Sequence, residues 1–295
     1  MTSQKDLVCG IIVTYHPDLE AFKKNLKASA GQLDYIYIVD NSENLEIQKQ
    51  LQLLSQPKIE VITLKANYGI AHAQNVGIEK AMESSQTFKF LFFLDQDTYL
   101  LENTVVDLKM GYHHLIEKGY KIACVGPSLV LGTDDVSEKK TDVAFEIVQE
   151  TLSSGSLIPS QMFEVVGMMK AELFIDLVDW DWCWRAKAKG YETAILKNVI
   201  IRHHFGDGSM KFFKVGISAP IRNYYQFRNV FLMMKEPYTP NSFKIKYRLI
   251  FFYKFVVYSL FLKPRFTRFK YMVKGISDAK NGIYGKIDQP VKKKN

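Results

Sequence analysis

Phe90-Leu91-Phe92-Phe93-Leu94-Asp95-Gln96-Asp97 is the stretch that decides how this chain folds. Five consecutive apolar residues read as a strand buried on both faces, the kind found in sheets covered by helices on each side. Two carboxylates closing such a strand emerge at the sheet edge, where open α/β sheets bind their ligands. On a continuing strand Asp95 and Asp97 would share one face. Carboxylates placed this way can hold Mg2+ or Mn2+ against phosphate oxygens. A lone Asp-x-Asp arises easily by chance, and the preceding apolar run is what gives this one weight.

Outward from this strand the pattern repeats. Leu7 to Tyr15, Tyr35 to Val39 and Ile59 to Leu64 are further β-rich runs, and helical stretches cover Leu19 to Ala30 and Ile70 to Met82. Alternation of this kind predicts a mostly parallel α/β sheet covered by helices. Beyond Thr98 the pattern gives a helix to about Gly119, then β-rich segments at Ile122 to Leu131, Val143 to Val148 and Leu152 to Ile158. Gly132 to Asp142 reads as a loop. A helix from Asp179 to Lys189 stops at Gly190, and a strand from Ala194 to Ile201 leads into a Gly-containing loop, His203 to Gly216.

The chain has 295 residues, 47% hydrophobic and 24% charged, ample for a real core without a disulfide or metal staple. Cys9, Cys124 and Cys183 are scattered without metal-ligand spacing, and the apolar run near the N-terminus is too short for a signal peptide. Both point to the cytoplasm. Net charge is +8, yet residues 241 to 295 hold 14 Lys and Arg against Asp278 and Asp288, leaving −4 for the first 240. Two parts are expected: a main α/β domain over residues 1–240 and a basic, aromatic, helical tail over 241–295. Leu249 to Leu262 is interrupted by Lys254 and short of the ~20 residues of a membrane span. The tail reads either as an amphipathic surface for an anionic membrane or as a helical pair packed on the main domain. No groove-reading or RNA-binding signature accompanies the charge, which argues against nucleic acid.

Further polar residues fall at the same predicted sheet edge. Thr14, Tyr15, Asp40 and Asn41 end the first two strands; a carboxylate there can accept a pyrimidine N–H while Tyr15 lies against the ring. Taken singly, each is more often a turn or capping residue. Asn67, Gly69 and Asn75 sit at or just inside the next helix, where small residues admit a nucleotide. A second acidic pair, Asp179-Trp180-Asp181, can supply a general base. Trp180, Trp182 and Trp184 cannot all share one helix face, so one packs in a core and another can form a sugar platform. Arg222, Tyr225 and Asn229 can align on a helix, as ligand contacts or as a buried network.

Taken in order, Val13-Thr14-Tyr15, Val39-Asp40-Asn41, Asn67-Tyr68-Gly69-Ile70-Ala71 with Gln74-Asn75, and Leu94-Asp95-Gln96-Asp97 resemble family-two inverting glycosyltransferases of the GT-A fold. The Asp-Gln-Asp form and Phe174-Ile175-Asp176-Leu177-Val178-Asp179 resemble the bacterial rhamnosyltransferase branch. The resemblance spans about residues 7–232. It implies that Asp40 reads the base, that Asp95 lies near the ribose, and that Asp97 and His203 bind Mg2+ or Mn2+. It implies Asp179 as catalytic base; Val178 stands where the family carries a leading acid, so Asp181 shares or contests the role. Ser154, Gly155, Trp182, Arg185, Arg222, Tyr225 and Arg228 are the implied acceptor-side residues.

The implied reaction is transfer of L-rhamnose from dTDP-L-rhamnose to a glycan hydroxyl. The implied acceptor is linked to a polyprenyl diphosphate, as in O-antigen, capsule or cell-wall assembly, at the inner face of the plasma membrane. A UDP-sugar donor and an inactive sugar- or lipid-binding protein stay open as alternatives. Nucleotidyl transfer would want a Gly-rich basic phosphate loop, which Val13 to Asp18 does not offer.

Overall fold

A computed structural model describes residues 6–131, 144–203 and 219–292. In chain order the first half contains β1 (Val8–Thr14), α1 (Leu19–Ala30), β2 (Tyr35–Asp40), α2 (Leu45–Gln52), β3 (Ile59–Thr63), α3 (Ile70–Glu83), β4 (Phe90–Asp95), β5 (Thr98–Leu100) and α4 (Thr104–Glu117). There follow β6 (Ile122–Leu131), β7 (Phe145–Val148), β8 (Leu157–Pro159), α5 (Met162–Val165), α6 (Val178–Ala188), β9 (Glu192–His203) and α7 (Pro220–Met233). The chain continues through α8 (Asn241–Leu260), α9 (Arg265–Lys280) and a hairpin of β10 (Ile283–Lys286) with β11 (Gln289–Lys292).

The main sheet runs β3-β2-β1-β4-β8-β6-β9-β5, with β7 also on β9. Parallel pairing joins β3, β2, β1 and β4, and joins β6 to β9; β8, β5 and β7 pair antiparallel. The sheet is therefore mixed, and the parallel reading applies to its first four strands. Antiparallel β8 enters between β4 and β6 because residues 150–156 fold back over the end of β4, where the Gly155 amide donates to Phe93 O at 2.7 Å. The α2 helix and β5 were not anticipated.

The apolar runs are continuous because both faces of these strands are covered. From β1 and β4, Val8, Ile12, Phe90, Phe92 and Leu94 point into one layer, and Cys9, Ile11, Leu91 and Phe93 into the other. A buried Leu or Phe contributes roughly 1.5–3 kcal/mol, so the alternation locks β4 in register. Short polar caps set the helix starts: Asp18 accepts from the amides of Glu20 and Ala21, and Asn44 from those of Glu46 and Ile47. All three cysteines are buried, and burial raises their thiols, so they are poor nucleophiles and ligands.

Residues 241–292 pack firmly on the rest of the chain. Gly275 of α9 lies against α7 so closely that a Cβ there would sit 2.5 Å from Tyr224 O. Buried Arg268 donates to Asn223 Oδ1 at 2.8 Å, and Tyr224 Oη donates to Asp278 at 2.7 Å. Among the described residues no helix is long and apolar enough to cross a membrane.

Candidate active site

Register brings the polar strand ends together. Thr14 pairs with Asp40 and Val13 with Asp95, so the ends of β2, β1 and β4 form one row at the sheet edge. An open cavity of about 1000 Å³ lies against this edge. Tyr15, Asn41, Asn67, Asp95, Gln96 and Asp97 line it at the strand ends. The β4 strand does not continue through the acidic pair: Gln96 and Asp97 form a turn into β5, and both aspartates still reach the cavity. Gln96 Oε1 accepts the Tyr15 amide at 2.7 Å, tying the ring-bearing residue to the acidic turn. Ser154 Oγ accepts from the Asp95 amide at 3.2 Å and bonds Thr98 Oγ1 at 2.6 Å, holding the same turn from the other side. His203 pairs with Thr98, immediately after Asp97; its side chain and His204 to Gly216 lie outside the described residues.

Asp40 is fully buried. Its Oδ1 accepts from Thr14 Oγ1 at 2.9 Å and Ser42 Oγ at 2.7 Å, while Oδ2 has no hydrogen-bond partner among the described residues. Gln74 Oε1, 3 % exposed and on the cavity wall, is likewise unsatisfied. Buried acceptors left unpaired cost on the order of 1–3 kcal/mol each; Gln74 lies on the cavity wall, where a ligand N–H could meet it, whereas Asp40 is not itself part of the lining and its neighbour Asn41 is. Asn41 and Asn67 join the end of β2 to the start of α3 through a 3.2 Å side-chain hydrogen bond. Gly69 has φ 89°, and a Cβ there would strike the carbonyl of Phe174.

The rest of the lining comes from residues 152–154, residues 174–180 and helices α7 and α8. Phe174, Asp176 and Leu177 all have positive φ, an unfavourable state for non-glycine residues. What holds them is buried: Asn229 Nδ2 donates to the carbonyls of Leu173, Ile175 and Asp176, and Arg228 to that of Leu173. This strained turn starts α6 and presents Asp179 to the cavity. Asp179 accepts from the amides of Ser153 (3.2 Å) and Trp180 (2.9 Å). Burial pushes its pKa up to about 6 against those hydrogen bonds, with a further push from the charge of Asp95. A carboxylate with that pKa is ionised at neutral pH yet basic enough to take a proton. Trp180, Tyr247, Phe251, Arg222 and Lys254 line this part of the cavity.

Comparison with known proteins agrees with this architecture. The family model described as Glycosyl transferase family 2 matches residues 11–165. A dTDP-rhamnosyl transferase, RfbF of Shigella flexneri, is 31% identical over 94% of this chain and 96% of its own length. The chain belongs to glycosyl transferase family 2. Among solved structures, S. aureus TarS (residues 1–349) in complex with UDP-GlcNAc is similar with a TM-score of 0.57, at 14% identity over 92% of this chain and 80% of that one. GalNAc-T7 with UDP, GalNAc and Mn2+ gives 0.54, at 13% identity over 85% and 56%. Both likenesses carry the GT-A fold.

Within this glycosyltransferase the predicted residues separate into cavity and scaffold. Tyr15, Asn41, Asn67, Gly69, Asp95, Asp97, Ser154, Asp179 and Arg222 line the cavity. Asp181 does not, which corrects its candidacy as base: it is 0 % exposed and held by Arg185 (2.8 Å) and Tyr238 Oη (2.7 Å), with the Lys170 ammonium at 3.9 Å. Trp182 is core, its Nε1 donating to Gly167 O at 2.9 Å, and Trp180 takes the place at the cavity expected for it. Arg185 is spent on Asp181 and the carbonyls of Val166 and Met168.

Tyr225 is buried against Phe174, and Arg228 beneath the strained turn; Gly155 packs on Pro127 and Ile201. These three are not part of the cavity lining. Asn75 bonds both backbone groups of Met169 at 2.9 Å, leaving its neighbour Gln74 to face the cavity. Thr14 likewise acts through Asp40. Lys254, Tyr247 and Phe251 come from the segment read as a separate tail, which is why they were missed.

Proposed function

We propose that this glycosyltransferase transfers L-rhamnose from dTDP-L-rhamnose, with inversion, to a hydroxyl of a polyprenyl-diphosphate-linked glycan in bacterial surface polysaccharide synthesis. One observation carries the reaction type: Asp179, with its raised pKa, lines the same cavity as Asp95 and Asp97. The likeness to the rhamnosyl transferase supports the choice of donor. The thymine N–H would meet Asp40 Oδ2, with Tyr15 against the ring and Gln74 as a second polar contact. Asp179 would take the proton of the acceptor hydroxyl as that oxygen attacks the sugar from the face opposite the leaving group.

Asp95 and Asp97 suit Mg2+ or Mn2+: two hard carboxylates on one wall leave most of the coordination shell for other oxygens, among them those of a diphosphate. Among the described residues no group of three or more His, Cys, Asp or Glu is placed to hold a metal ion. When bound, the ion would offset charge on the departing diphosphate. His203, at the register position beside Thr98, is the third candidate.

A membrane-facing role fits the outer side of the C-terminal helices. Ile245, Leu249, Phe252, Tyr253, Val256 and Leu260 form an exposed apolar stripe on α8, and Phe261, Phe266 and Phe269 extend it. Exposed Lys246, Arg248, Lys263, Arg265 and Lys270 accompany it, as on helices lying in an anionic interface.

The test incubates the protein with Mg2+, bacterial membranes and a panel of labelled sugar nucleotides. Label from dTDP-L-rhamnose in the lipid fraction is expected. Label from a UDP-sugar alone overturns the donor assignment, and no transfer from any donor overturns the reaction.

A further inference from the structure

Two stripes run along α8. One is the exposed apolar face; the other, Phe243, Tyr247, Phe251, Lys254 and Tyr258, turns inward. Lys254 is the cation of the inner stripe. Its Nζ donates to Gln226 Oε1 at 3.2 Å and lies 5.3 and 5.6 Å from the ring centroids of Phe251 and Tyr258. Burial lowers its pKa, opposed by the charge of Asp176 and reinforced by that of Arg222. Asp176 is committed to Arg222, which it holds at 2.8 Å, and no carboxylate pairs with the Lys254 ammonium among the described residues. A half-buried ammonium with donors to spare and no carboxylate in direct contact among the described residues, opening on the cavity, is less favourable than one that an anion meets.

The position of Lys254 selects which anion. The donor's diphosphate belongs with Asp95 and Asp97 at the sheet edge. Lys254 enters the cavity lining from α8, as do Tyr247 and Phe251, and that helix has a far side that is apolar, exposed and flanked by basic residues. A carrier lipid held in a membrane against that far side would bring its phosphate to the height of α8 and its glycan into the cavity toward Asp179.

We infer that Lys254 binds a phosphate of the lipid-linked acceptor, so that α8 joins membrane contact to acceptor placement. The inference rests on the glycosyl-transfer reading above, and it gives that reading a specific acceptor contact.

Farnesyl diphosphate, a soluble short polyprenyl diphosphate, is a suitable probe, titrated calorimetrically into the full-length protein saturated with dTDP. The wild type is expected to bind it at a site that dTDP does not block, and farnesol at least tenfold more weakly. Lys254→Met, which keeps the aliphatic stem against Phe251, is expected to weaken farnesyl diphosphate about tenfold or more, the scale of one lost charge-assisted hydrogen bond. Lys254→Arg should recover most of that loss, and both variants should bind dTDP as the wild type does, which also reports that they are folded. Unchanged affinity in Lys254→Met, displacement of the probe by dTDP, or equal binding of farnesol would each overturn the assignment. Wild-type protein that binds the diphosphate probe without binding dTDP would instead strike the donor reading and leave the Lys254 assignment standing.

Discussion

The amide of Ser153 donates to Oδ2 of Asp179 at 3.2 Å, tying the loop whose Ser154 holds the Asp95 amide to the start of α6, where Asp179 is the proposed base. Asp179 is held between burial, which raises its pKa to about 6, and two amides that favour its charge. As a base it works ionised, so kcat/KM should fall about tenfold per pH unit below about pH 6 and level off above it. The linkage has the opposite sign for stability. A carboxylate whose folded pKa is raised favours the fold below its unfolded pKa near 4, and that contribution is lost as pH rises through about 6. Asp179→Asn should lower kcat by roughly 10²–10⁴ while leaving the Kd for dTDP-L-rhamnose within about twofold. Equal loss of binding and turnover would remove Asp179 as base.

Asp181 should behave differently although it lies only two residues away. It is fully buried among Arg185, Tyr238 and Lys170, and its removal leaves cations without a counter-charge. Asp181→Ala is expected to cost about 3–5 kcal/mol in urea unfolding, the range for breaking a buried ion pair from one side. A variant of wild-type stability that has lost turnover would return Asp181 to the chemistry.

These two aspartates show where the sequence stops being legible. The strands at Val8–Thr14, Tyr35–Asp40 and Phe90–Asp95 are continuous apolar runs and could be read directly, together with the polar residues that end them. On α6, residues 179 and 181 stand about 200° apart, so only one can face the cavity. Which one is decided by Lys170 and Tyr238, from distant parts of the chain, and no local pattern reports them. The same holds for Gln74 and Asn75, about 100° apart on α3, where the backbone of Met169 captures Asn75. Helix α2 was missed because only Gln48 and Leu51 of its eight residues are buried, too few for a clear period. Lys254 read as an interruption of an apolar run because the packing of α8 against α7 and α6 appears only in three dimensions.

Gln74 gives a prediction that separates binding from folding. Its Oε1 is buried, faces the cavity and has no partner among the described residues, so the folded protein already bears that cost. Gln74→Leu has similar volume and removes the unsatisfied group; thermal unfolding should be unchanged or slightly stabilised. Binding of dTDP, followed by calorimetry, should weaken about tenfold, the scale of one hydrogen bond to a buried partner. Destabilisation with unaltered dTDP affinity would place Gln74 in the scaffold alone.

Asp97 separates cation from nucleotide. It sits on the turn after β4, next to the Thr98–His203 pair and on the same wall as Asp95. The groups proposed to meet the base, Asp40 and Gln74, lie on other elements, so removing Asp97 should leave thymine recognition in place. Wild-type affinity for dTDP should therefore rise with Mg2+ or Mn2+, and that rise should disappear in Asp97→Ala. Metal-free affinity should stay the same or improve slightly, because one carboxylate fewer faces the diphosphate. Titrations of dTDP into both proteins, with the cation and with a chelator, read the four affinities directly. A metal effect that survives unchanged in Asp97→Ala would show that the cation is held elsewhere.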